Sequence, residues 1–167
     1  MSNNKELWQI KLSDWKPKKK EPAPDDEEEI YTGVFPGYAR ARIIRIGEYK
    51  GREFRITTTG RYPCAYVEAK TEAEIGCRDI WKLDELADVH WGFSFHGYMN
   101  HVGDISKKYF IGWDYGHCCD YAAPLRICTP ERLMTFGNQG KKWTIDEIID
   151  DIKRVIDQLE EHKKHND

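Results

Sequence analysis

The sequence predicts an α+β domain: a twisted, mainly antiparallel sheet of about five strands packed against a C-terminal amphipathic helix. Three observations predict it. Short runs of alternating apolar and polar residues recur between Ala41 and Tyr115, each bounded by turn residues. One sustained apolar stripe at helical spacing closes the chain, over Ile145 to Leu159. A chain of 167 residues is long enough to bury one real core and suits a single domain.

Taken in order, Trp8, Ile10 and Leu12 alternate, while Trp8, Leu12 and Trp15 also share a helical face, so the pattern of the N-terminal arm (residues 1–15) fits either element. Lys16 to Glu29, KPKKKEPAPDDEEE, is a basic run, two prolines and an acidic run; it has no apolar surface to bury and reads as a solvated linker. The folded domain is expected over residues 30–161. Tyr31 to Tyr38 is rich in Gly, Pro and aromatics and reads as an irregular opening loop. Ala41 to Ile46 and Arg52 to Thr58, joined by a turn at Glu48 to Gly51, predict a hairpin with one wet, basic face. Tyr62 to Ala69 predicts a third strand, with Pro63 at its start or on a sheet edge. Two short helical turns are expected around Glu72 to Ile75 and Leu83 to Ala87.

Val89 to Tyr98 predicts a strand with Trp91, Phe93 and Phe95 on one face and His90, Gly92, Ser94 and His96 on the other. Lys108 to Tyr115 predicts another, with Tyr109, Ile111, Trp113 and Tyr115 opposite Phe110, Gly112 and Asp114. Thr129-Pro130-Glu131 opens a short helix ending near Gly137. Thr144 and Glu147 form a capping box, Trp143 is placed to staple onto Ile148, and the last helix follows; residues 162–167 are expected to fray.

Composition narrows the function classes. A net charge of −3 leaves no overall electrostatic footprint for nucleic acid or an anionic membrane, although Arg40, Arg42, Arg45, Arg52 and Arg55 could line a local basic face. No apolar run reaches the roughly 20 residues that span a bilayer. Met1 to Trp15 lacks the apolar core of a secretory leader. Five cysteines, without a disulfide-scaffold spacing, suit a reducing compartment. A cytoplasmic protein is the expectation.

Chemistry concentrates between Asp88 and Tyr121. Candidate metal ligands there are His90, His96, His101, Asp114, His117, Cys118, Cys119 and Asp120, with His90, His117 and Asp120 the preferred set. They lack the paired C-x₂₋₄-C spacing of a structural zinc site, so no cofactor is expected, a divalent metal being the alternative. Acid–base chemistry would use His96 and His117 with Asp114 or Asp120, aided by Lys107 or Arg126. Cys118 or Cys119 would serve as a nucleophile only if a neighbouring cation lowered its pKa. Cys64 and Cys77 read as packing residues. Phosphate loops of the GxGxxG or P-loop type are absent. A binding surface places fewer demands on geometry: Trp91, Tyr98, Trp113, Tyr115, Tyr121 and His117 would form a rigid aromatic patch, while Arg42, Arg45 and Arg52 are separate candidates for contacting phosphates.

Four segments carry a resemblance: YPCAYVE at Tyr62 to Glu68, VHWGFSF at Val89 to Phe95, IGWDYGHCCDY at Ile111 to Tyr121, and KWTIDEIIDDIKRVIDQL at Lys142 to Leu159. Together they resemble an uncharacterised family of small proteins of bacteriophages, prophages and Gram-positive bacteria, over about Ala41 to Leu159. The GWDYxHxxDY string is the most specific part. The resemblance implies no catalytic role. It implies an accessory gene of a mobile element, and such genes often encode proteins that disable host factors. The arm, the charged linker and Cys118 stand apart from that pattern. The expectation is therefore a protein that binds a host protein or ribonucleoprotein and inhibits a defence system such as CRISPR-Cas. The alternative is a small His/Asp-dependent nuclease or hydrolase, metal-assisted or not.

Overall fold

The computed structural model describes residues 30, 41–76, 79–99, 108–123 and 140–166. The N-terminal arm, the linker, the opening loop, the helix expected at Thr129, and Arg40, Cys77, His101, Lys107 and Arg126 lie outside the described residues.

Five strands form one open sheet: β1 (Arg42–Tyr49), β2 (Arg52–Thr58), β3 (Pro63–Glu68), β4 (Phe95–Tyr98) and β5 (Tyr109–Asp114). Their spatial order is β1-β2-β3-β5-β4 and every pairing is antiparallel. The predicted α+β fold is what the chain forms. Between β1 and β2 only Lys50 and Gly51 turn, both at positive φ (48° and 74°), which matches the right-handed twist of the flanking strands. Pro63 occupies the first position of β3, inside the sheet; it has no N–H to leave unpaired, and its carbonyl accepts from Tyr115 N at 3.0 Å.

One face of the sheet presents Phe54, Ile56, Ala65, Val67, Ile111 and Trp113, all buried. Against it lies α2 (Ile145–Asn166), whose Ile145, Ile148, Ile152, Val155, Ile156 and Leu159 fall into the same core cluster. Full burial of each such aliphatic side chain contributes roughly 1.5–3 kcal/mol. The capping box forms as read: Glu147 N donates to Thr144 Oγ1 at 3.3 Å, and Thr144 N donates back to Glu147 Oε2 at 2.9 Å. Trp143 packs on the core just before it. The helix runs to Asn166, and its last turn sets Lys163, Lys164 and His165 against the negative end of the helix dipole.

Two further expectations are corrected. The basic hairpin face does not form. Arg42 and Arg45 are exposed, but Arg52 and Arg55 are buried at 0% and 2% exposure, on opposite faces of β2. Arg52 reaches the short helix α1 (Glu72–Ile75), where Nη1 and Nη2 pair with the two Glu74 carboxylate oxygens at 2.7 and 3.0 Å. Its Nε meets Glu160 of α2 at 2.7 Å, and Nη1 donates to Glu68 O at 3.0 Å. Arg55 lies 4.5 Å over the Phe110 ring and pairs with Glu53 at 2.6 Å. Long stems that pack like aliphatics, with carboxylates waiting at their tips, draw both arginines inward.

The predicted strand from Val89 also fails: pairing begins only at Phe95. Trp91 and Gly92 take positive φ (62° and 89°), and Asp84 Oδ1, from a 3₁₀ helix over Ile80–Glu85, captures Phe93 N at 2.8 Å. A strand cannot carry two left-handed residues in succession, so the apparent alternation there has no structural counterpart.

Acid should loosen this packing. Burial works against ionisation of Glu160 and Glu53, yet Arg52 in the first case, and Lys108 with Arg55 in the second, hold both carboxyls below their usual range. A depressed folded pKa gives stability that is present above the unfolded value of about 4.3 and is lost as pH falls through the folded one. The melting temperature is therefore expected to drop between about pH 5 and pH 3; a melting temperature unchanged across that window would contradict this role for the ion pairs.

Candidate functional site

β5 ends at Asp114, and the loop after it brings three predicted metal ligands together. Asp120 is its hub, 3% exposed. Asp120 Oδ2 accepts from His117 N at 3.0 Å and meets His90 Nε2 at 2.8 Å, while Oδ1 accepts from Trp143 Nε1 at 2.8 Å. Burial opposes ionisation of Asp120, but these three partners outweigh it and hold the carboxyl below its ordinary range. The loop is pinned from outside by a short parallel bridge: Tyr121 N donates to Lys141 O and Lys141 N to Cys119 O, both at 2.9 Å.

His117 Nδ1 lies 3.6 Å from Asp120 Oδ2 and 3.9 Å from Asp114 Oδ1. Asp114 is itself engaged, accepting from Ser94 Oγ at 3.0 Å and Gly116 N at 3.1 Å. The rings stack in sequence. Trp91 lies on His117, with centroids 5.6 Å apart and planes 18° apart; His90 lies on Tyr115 at 5.2 Å and 16°. His90 also meets Trp143 edge-on at 5.0 Å.

The other predicted residues fall elsewhere. His96 sits on β4, its Nδ1 2.7 Å from Tyr109 OH, so the structure does not join it to His117 as an acid–base pair. Trp113 and Tyr115 belong to the core rather than to a binding patch, at 1% and 0% exposure; both donate to Asp151 of α2, at 3.2 and 2.7 Å. The period-two pattern had put them on one face correctly; that face is the one under the helix. Tyr98 is 63% exposed, at the end of the edge strand β4, and Tyr121 is half-buried beneath Lys142, whose Nζ is 4.6 Å from the ring centroid. Arg42 and Arg45 are exposed on the far edge strand β1, and Arg52 is structural.

Gly112 explains part of the glycine content of the string. A Cβ there would come within 2.5 Å of the Tyr66 ring, which stands edge-on to Phe95. Burial pushes the Cys64 thiol up to about 12, as befits a packing residue. Cys118 and Cys119 are exposed and their sulfurs lie 3.7 Å apart. The adjacent Cys118 raises the Cys119 pKa, the opposite of what an activated nucleophile needs. Trp143 was expected only as a staple. Its indole bond to Asp120 depends on a chain reversal that no local spacing announces.

Fold and site define a small α+β protein with an open antiparallel sheet and a histidine–aspartate cluster next to an exposed tryptophan. Among the described residues no helix is long and apolar enough to cross a membrane. Comparison with protein-family models, curated proteins and solved structures gives no match.

Proposed function

We propose that this chain is a mobile-element accessory protein that binds a host protein through the surface around Trp91 and thereby inhibits a defence system such as CRISPR-Cas. One observation carries the binding part. Trp91 is 62% exposed, yet its backbone is left-handed (φ 62°) and its ring is fixed on His117. A bulky residue in that region costs about 1–2 kcal/mol. Strain of this kind clusters at functional sites, where it pre-organises a group for contact. Tryptophan supplies large contact area with little rotamer freedom to lose and is enriched at binding hot spots. The mobile-element provenance, and with it the host as partner, rests on the resemblance carried by the GWDYxHxxDY string.

The experiment is expression of the chain in a Gram-positive host with active CRISPR-Cas interference, scored by transformation with a targeted plasmid. Transformants should rise with the wild-type chain and return to background with Trp91→Gly. Equal counts with and without the chain would remove the CRISPR-Cas reading.

A second reading, a His/Asp-dependent nuclease or hydrolase, is favoured by the His90–His117–Asp120 cluster. It expects RNA or DNA cleavage that is lost in His117→Ala at unchanged fold; purified wild-type protein inert on both substrates would dispose of that nuclease reading. The nucleic-acid surface once expected over Arg40 to Arg55 is weakened, because Arg52 and Arg55 are turned inward and neutralised by glutamates.

A further inference from the structure

We propose that His90 Nε2, His117 Nδ1 and Asp120 Oδ2 form a binding site for a divalent transition metal of the zinc class. The inference stands on the geometry of these three groups and does not depend on the partner proposed above.

The three ligand atoms lie within 4.8 Å of one another. A four-coordinate metal with bonds of about 2.0–2.1 Å holds its ligand atoms about 3.4 Å apart. The His117–Asp120 separation of 3.6 Å is already close to that value, and a small swing of His90 widens its 2.8 Å contact with Asp120 to the same length. Two imidazoles and a carboxylate suit zinc and its neighbours, whereas calcium and magnesium call for oxygen ligands.

A second observation points the same way. His117 Nδ1 is buried and has no hydrogen-bond partner among the described residues. Buried polar side-chain atoms are nearly always satisfied, and a ligand bond would satisfy this one. The surroundings are also those of a ligand set. Trp143 fixes the Asp120 carboxylate through its other oxygen, and Tyr115 and Trp143 hold the His90 ring from two sides. Three protein ligands leave a position open for water, for Asp114, or for a group on a partner. The metal would clamp the turn that carries Trp91 to the loop after β5.

The test is calorimetric titration of zinc chloride into full-length, tag-free protein, reduced and stripped with chelator. One zinc per chain is expected. His117→Ala should weaken binding by more than the roughly 10–100-fold that follows loss of an outer-shell partner. A Cys118→Ser/Cys119→Ser double variant should bind as the wild type does. Cobalt added to the wild type reads the ligand types without any substitution: four-coordinate d–d bands with no sulfur-to-cobalt charge transfer are expected, even if His117→Ala fails to fold. Absence of zinc binding, binding unchanged in a folded His117→Ala, binding lost in the cysteine double variant, or a charge-transfer band would each overturn the proposal.

Discussion

Arg52→Ala is expected to destabilise the fold by about 3–5 kcal/mol, the range measured when one partner of a buried ion pair is removed. Arg52 and Glu74 are both buried, at 0% and 2% exposure, and form a two-pronged pair. Removing the guanidinium leaves Glu74 charged in the interior and frees Glu160 from β2, so α1, the sheet and α2 lose a common tie. Folded domains keep only about 5–15 kcal/mol in total, so the loss should be plain in urea unfolding at neutral pH. Replacing the pair together, Arg52→Met with Glu74→Leu, should recover much of it, because an apolar pair of similar volume leaves no orphan charge. An Arg52→Ala variant that unfolds at the wild-type midpoint would show that the network adds nothing net to stability.

The second large effect falls on affinity rather than stability. Trp91→Gly should melt no lower than wild type, since relief of the left-handed strain of about 1–2 kcal/mol offsets the lost stack of a largely exposed ring on His117. The same change should weaken partner binding by about 2 kcal/mol or more, roughly thirtyfold, as truncation of a central aromatic anchor does. Trp91→Phe, which keeps an aromatic on His117, should fall between. A variant that loses several degrees of melting temperature would instead make Trp91 a packing residue and remove the observation on which the binding reading stands.

The contrast between these two positions shows where the sequence was readable. The α+β class, the hairpin, the start of β3 at Pro63, β5 and the capped last helix follow from local signals: period-two alternation, turn residues, and the reciprocal Thr144–Glu147 cap. Those signals act over a few residues and the structure obeys them. Arg52 was misjudged although alternation puts it on the face of Phe54 and Ile56, because a charged residue reads as wet; partners 22 and 108 residues away decided its burial. Trp113 and Tyr115 failed for the same reason. Their shared face was right, but α2 covers it. The stretch from Val89 looked like a strand because its aromatics alternate, but Gly92 permits a turn and Asp84, in the 3₁₀ helix just before it, stabilises that turn.

The site was half readable. His90, His117 and Asp120 were grouped from chemistry, and the fold brings them together. His96, paired with His117 as acid and base on residue chemistry alone, sits on β4 against Tyr109 instead. The role of Trp143 as donor to Asp120 had no sequence signal, since 23 residues separate them.

Whether the Trp91 surface holds a host protein can be read from a parallel affinity purification. Wild type and Trp91→Gly, equally tagged and of matched melting temperature, are recovered from the cell type that carries the gene, and their complexes are weighed by native mass spectrometry. One host protein in fixed stoichiometry is expected on the wild type, and its loss from Trp91→Gly. The same partner, in the same amount, on both chains would contradict it, and so would a wild-type chain recovered alone.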